Sequence, residues 1–258
     1  MSMFKSSEPF YRFKKATLLT VLVLVWTSCN DSISTMEETQ RQATPNTNTP
    51  FRTGPVSYLA LGDSYTIGQG VDPSQNYPNL LTSKLRNRGI TINEPVVIAV
   101  TGWTTQDLLQ AMRKAQLDDK QFDLLTLLIG VNNQYRGQSL EEYEKDLSEL
   151  MIKSLALVGD DKNRIIVISI PDWGVTPYAS SLARDKAMIA AEIDRFNEKN
   201  KSLAEKTGVR YLEITEEYRS LGHMDQYLAM DGLHPSEKVY DRWAERLTEI
   251  IIDEMNIR

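Results

Sequence analysis

The chain predicts an α/β domain whose parallel sheet is covered on both sides by helices. Three features point there: short apolar runs rich in β-branched residues or leucine, helical patterns that alternate with them, and polar or glycine-containing turns at the junctions. The runs Val56–Leu61, Val96–Val100, Leu124–Ile129 and Ile165–Ile170 are nearly continuous in apolarity, as strands buried on both faces read. Tyr211–Ile214 is a weaker fifth. Helices are expected over Tyr77–Arg88, Thr105–Ala115, Leu140–Leu157 and roughly Leu182–Lys206. A last helix, Pro235–Met255, places Val239, Trp243, Leu247, Ile250 and Ile251 on one apolar stripe, with Pro235 in its first turn. No internal repeat and no second shift of composition is visible. One domain is therefore expected from about Pro55 to the C-terminus.

The stretch before it reads differently. Lys5, Arg12, Lys14 and Lys15 precede an apolar run, Ala16 to Trp26, followed by Thr27, Ser28 and Cys29. A basic head, a short apolar segment and small residues make a secretory signal over residues 1–28. The run is short of the ~20 apolar residues a membrane-spanning helix needs. Cys29 is the single cysteine, so no intramolecular disulfide can form. Its position resembles the lipidation site of bacterial lipoproteins, although Trp26 stands where leucine is usual. The expectation is an exported protein, lipid-anchored through Cys29 to a bacterial membrane; the alternative is cleavage nearby and release. Residues 29–54 are dominated by Ser, Thr, Asn, Gln, Pro and Glu, too polar to offset their ordering entropy, and read as a flexible tether.

Composition narrows the function. The chain has 29 basic and 35 acidic residues, a formal net charge of -6. Loss of the signal takes away four basic residues and Glu8, which makes the balance more acidic still. A nucleic-acid partner needs a basic face, and none is visible. The same balance disfavours docking on anionic lipid, so the anchor is the only membrane contact expected. Two histidines make a histidine-rich zinc site improbable.

In open parallel sheets ligands bind beyond the carboxyl ends of the strands. Gly62-Asp63-Ser64-Tyr65-Thr66 follows the first strand, Thr101-Gly102-Trp103 the second, and Gly130-Val131-Asn132-Asn133 the third. Asp231-Gly232-Leu233-His234-Pro235 precedes the last helix. A serine hydroxyl needs a base to take its proton, and only His223 and His234 offer an imidazole. Asp231, three residues before His234 across a turn that Gly232 permits, can accept the imidazole Nδ1–H and fix its tautomer. The backbone N–H groups of Ser64 and Gly102 and the side-chain amide of Asn132 are candidate donors to an oxyanion. Trp103, Tyr65, Tyr135 and Trp173 lie beside these motifs and are candidates for an acyl pocket or sugar platform, or for core. His223 reads as a surface or packing residue, Asp172 as a turn residue and Trp243 as packing.

These four blocks together, in this order, resemble those of the SGNH (GDSL-type) hydrolases over about Tyr58 to Trp243. The resemblance implies a flavodoxin-like three-layer α/β/α fold with about five parallel strands. It implies Ser64 as nucleophile, His234 as base, Asp231 as its orienting acid, and Gly102 and Asn132 as oxyanion donors, with no metal or organic cofactor. It implies a small-molecule ester substrate, with short acyl or acetyl esters favoured because no long lid is inserted. A non-catalytic binding lipoprotein and an acyltransferase on the same fold are the rivals. The α/β-hydrolase fold shares the chain order Ser, Asp, His, but its elbow is Gly-x-Ser-x-Gly, and Thr66 holds the last position here. One departure stands out: Asn133 occupies the place of the family's usual aspartate, and restoring aspartate there is expected to be near neutral.

Overall fold

The computed structural model describes residues 54–117, 120–182 and 184–255. The expected signal, Cys29 and the tether up to Thr53 fall outside the described residues. Five strands form one parallel sheet: β1 (Tyr58–Gly62), β2 (Val96–Ala99), β3 (Leu124–Leu128), β4 (Ile165–Ile168) and β5 (Arg210–Leu212), in the spatial order β2-β1-β3-β4-β5. This is the flavodoxin-like order that the motifs imply.

Helices alternate with the strands: α1 (Ser64–Ile67) and α2 (Tyr77–Asn87) after β1, α3 (Thr105–Lys114) after β2, and α4 (Val131–Tyr135) with α5 (Leu140–Leu157) after β3. α6 (Pro177–Ser181) and α7 (Lys186–Thr207) follow β4, and α8 (Thr215–Leu221) and α9 (Glu237–Glu254) follow β5. The step from β1 to β2 runs one way along the sheet and the steps β2 to β3, β3 to β4 and β4 to β5 run the other. Right-handed crossovers therefore place α2 on one face and α3, α5 and α7 on the opposite face. The packing agrees: α2 lies against α9, while α3 packs on α5 and α5 on α7. Lys84 of α2 ties the first pair together through Asp241, 2.7 Å away, and Glu245, 3.0 Å away, both on α9.

The central strands β1, β3 and β4 are buried along their whole length. The expectation of burial on both faces does not extend to β2, where Val96 is 43% exposed, because this strand forms the sheet edge. Two helix starts also differ from expectation. α7 begins at Lys186 rather than near Leu182, because the Asp185 carboxylate caps it by accepting from Ala187 N–H at 2.8 Å. α9 begins at Glu237 with Ser236 as its N-cap. Pro235 thus precedes the helix, where it pairs with Leu228 in an isolated antiparallel bridge. The apolar stripe of α9 is as read: Val239, Trp243, Leu247 and Ile251 are fully buried and Ile250 is half-buried.

Candidate active site

The order β2-β1-β3 puts the ends of three strands side by side, and a cavity of about 150 Å³ opens above them. Ser64, Tyr65, Thr101, Gly102, Asn132 and His234 are among its lining residues. A larger open depression of about 430 Å³ lies by α2 and α9 among Glu237, Lys238, Asp241 and Arg242, with no nucleophile–base pair.

Ser64 is the first residue of α1, buried at the point where β1 ends. Asp63 caps that turn, its Oδ1 accepting from Tyr65 N–H at 3.0 Å. Among the described residues neither Ser64 N–H nor Gly102 N–H is taken by a protein acceptor, so both remain available to a substrate oxygen. Gly102 has φ +85°, a backbone conformation that costs any residue with a Cβ. A Cβ there would have room, meeting only Arg136 Nη2 at 3.6 Å. The glycine is thus required by its dihedral rather than by crowding.

The Asp231–His234 turn is closed by one carboxylate. Asp231 Oδ1 accepts from the backbone N–H of Leu233 and of His234, both at 2.9 Å, and Oδ2 lies 2.6 Å from His234 Nδ1. Gly232 at φ +63° lets the chain reverse between them. Partial burial would raise the Asp231 pKa, but the imidazole and the two N–H groups outweigh it and hold the carboxyl below its ordinary value. Asp231 is thus ionised at neutral pH, Nδ1 carries the proton it accepts, and Nε2 is left as the basic nitrogen. The Tyr65 ring packs against the imidazole with centroids 5.1 Å apart. Tyr218 Oη donates to Leu233 O at 2.7 Å and further holds the turn.

A clasp that sequence reading missed joins the second and third blocks. Asn132 Nδ2 donates to Trp103 O at 2.9 Å, and Arg136 Nη2 donates to Gly102 O at 2.6 Å. Asn133, fully buried, accepts from Thr105 N–H at 3.1 Å and donates to Thr105 Oγ1 at 2.7 Å and to Gln138 Oε1. Three residues of one short segment thereby fix the loop that carries Gly102. One amide N–H of Asn132 is spent on this; the other has no acceptor among the described residues.

The aromatic candidates divide. Tyr65, Tyr135 and Trp173 line the cavity, joined by Tyr178, which the sequence did not single out. Trp103 does not line it and packs against the core. Trp173 is held from behind by Nε1–H donation to Gln134 Oε1 at 2.7 Å. Asp172 is a turn residue, as read: it caps the 3-10 turn at Trp173–Val175 and pairs with Arg219 at 2.9 Å. His223 is exposed and Trp243 is buried.

Asp63 itself is almost wholly buried, and burial pushes its carboxyl up to about 7 against the hydrogen bonds from backbone N–H groups. The unfolded chain ionises this group near pH ~4. Between these values the folded protein keeps a proton that the unfolded chain has released, so this group's contribution to stability falls as pH rises from about 4 to about 7 and is flat above. Asp63→Asn retains a capping oxygen and removes the titration. The difference in melting temperature between wild type and variant is expected to change steadily across that window. A difference that stays constant from pH 4 to 8 would show the carboxyl to be ionised in the fold.

Residues 60–242 match the GDSL-like lipase/acylhydrolase family. A spore germination lipase, LipC, of Bacillus licheniformis is 26% identical over 213 residues, covering 74% of this chain and 94% of that protein. Solved structures share the fold. A lipase/acylhydrolase from Enterococcus faecalis has a TM-score of 0.59 at 20% identity, covering 76% of this chain and 95% of its own. The acetylxylan esterase Axe2 of Geobacillus stearothermophilus has a TM-score of 0.58 at 20% identity, covering 80% and 96%. The chain belongs to the GDSL-like lipase/acylhydrolase family and is a carboxylic ester hydrolase.

Proposed function

We propose that the protein hydrolyses short acyl esters through an acyl-enzyme on Ser64. One observation carries the reading: Ser64, the Asp231-oriented His234, Gly102 and Asn132 all line one cavity of about 150 Å³. His234 Nε2 takes the proton as Ser64 Oγ attacks the acyl carbonyl carbon. The negative charge that develops on the carbonyl oxygen meets the N–H groups of Ser64 and Gly102 and the free amide N–H of Asn132. His234 then returns the proton to the departing alkoxide. A water, deprotonated by the same nitrogen, attacks the acyl carbon and releases the acid. Sites for drug-sized ligands run to ~300–1,000 Å³, so a cavity this small suits an acetyl or short acyl group. A structural neighbour of this chain is an acetylxylan esterase.

A fluorophosphonate probe followed by peptide mass spectrometry tests the nucleophile, with the label expected on Ser64. Turnover across p-nitrophenyl acetate, butyrate, octanoate and palmitate tests the acyl size, with a fall expected beyond butyrate. A label on another residue, or a rate that rises to palmitate, would overturn the corresponding half.

We also propose that Cys29 is the attachment point of a lipid. The support is its place after the apolar run and before a polar tether. Cys29→Ser is expected to move the protein from the membrane to the soluble fraction in its bacterial host. A soluble wild type without lipid by mass spectrometry would sink this assignment.

A further inference from the structure

Against the cavity's aromatic wall sits a cation with no carboxylate partner among the described residues. The Arg184 guanidinium carbon lies 5.3 Å from the ring centroids of both Tyr135 and Trp173, in the notch these rings make at 65° to one another. Its one hydrogen bond among the described residues is from Nη1 to Tyr135 O at 3.2 Å. Of the arginines among the described residues, all but Arg184 and Arg195 pair with a carboxylate. Arg195 lies exposed on α7 and has no place in the cavity lining. In a chain with more acidic than basic residues, an arginine that lies against two rings of the cavity lining and has no carboxylate partner among the described residues is conspicuous.

Geometry says what it can bind. Among the described residues, one of the five N–H donors of the guanidinium is spent, on Tyr135 O. The donors left over match a planar or tetrahedral oxyanion, which takes two parallel N–H bonds. Arg184 is exposed and lies against the lining residues Tyr135 and Trp173, within reach of the part of an ester that projects from the cavity past these rings. With the acyl group inside, that part is the alcohol.

Resting on the ester-hydrolase reading above, we propose that Arg184 is a specificity-determining residue for esters whose alcohol half carries an anionic group. Two sources share this chemistry, the carboxylate of an acidic sugar and the phosphate of a glycerophosphate. Two matched pairs separate them: acetylated methyl glucuronoside against acetylated methyl glucoside, and 1-butyryl-glycerol-3-phosphate against 1-butyrylglycerol.

The full chain is assayed as wild type, Arg184→Gln, Arg184→Glu and Arg195→Gln. For at least one pair, wild type is expected to favour the charged ester by 10-fold or more in kcat/KM, mainly through KM. The preference should fall to near unity in Arg184→Gln, invert in Arg184→Glu and persist in Arg195→Gln. The pair that shows it identifies the anion. Ratios near one for both pairs in wild type, or a preference retained in Arg184→Gln, overturn the proposal while leaving the esterase reading intact. Failure to hydrolyse any ester, p-nitrophenyl acetate included, with no fluorophosphonate label, removes both.

Discussion

Ser64→Ala is expected to lower kcat on p-nitrophenyl acetate by roughly 10⁴–10⁶ and to abolish fluorophosphonate labelling, on the scale that loss of a nucleophile has in serine hydrolases. The substitution removes the oxygen proposed to attack and little else. Among the described residues Ser64 Oγ has no hydrogen-bond partner, since none of the side-chain bonds of the site ends on it. Alanine is compatible with the helical backbone of α1, and Asp63 still caps the turn through Tyr65 N–H. The melting temperature should therefore stay within a few degrees of wild type. Such a split, activity gone with stability kept, separates a nucleophile from a residue that supports the turn. A variant that is folded and still labels fully would remove Ser64 from the mechanism.

The long elements and the four motif blocks were legible because each leaves a local signal. α5 spans Leu140–Leu157 as read, since its apolar residues recur at helical spacing and Ser139 with Glu142 forms a capping box at its start. The Asp231–His234 pair was legible because three residues separate its members and one turn joins them. What escaped detection is short or distant. α4 is five residues long and shows no period, so Gly130-Val131-Asn132-Asn133 read as a loop. Its helical backbone is what sends Asn132, Asn133 and Arg136 toward the Gly102 loop. The partners in that clasp are 28 to 34 residues apart in the chain. Arg184 meets the Tyr135 carbonyl across 49 residues. Pairings of that separation are made by the order of strands in the sheet, and no local pattern announces them.

The clasp also decides what the third block does, and here Asn132→Ala is the informative substitution. Asparagine is common in turns because it tolerates positive φ, but Asn132 is absent from the residues in that region and lies within α4. Its side chain is therefore kept for its amide. One N–H holds Trp103 O at 2.9 Å, and the other is free to meet the oxyanion. Loss of a donor used in the transition state lowers kcat by about 10²–10³, and that is the expected effect, with KM little changed and Ser64 still slowly reactive to the fluorophosphonate. Loss of the Trp103 bond costs about 1 kcal/mol, a small shift in melting temperature. Asn133→Asp is expected to behave in the opposite way. The near-neutral outcome that family resemblance implies does not fit the contacts here: Thr105 Oγ1 donates to Asp146 Oδ2 at 3.0 Å and accepts from the Asn133 amide, which also donates to Gln138 Oε1. A carboxylate at 133 would face those oxygens with no proton to offer, in a fully buried place. It should cost about 1–3 kcal/mol and affect kcat less than Asn132→Ala does in the folded fraction. Melting temperature, kcat and KM for both variants separate the roles. Early melting with near-normal kcat in Asn132→Ala would make its amide structural and remove it from the oxyanion hole.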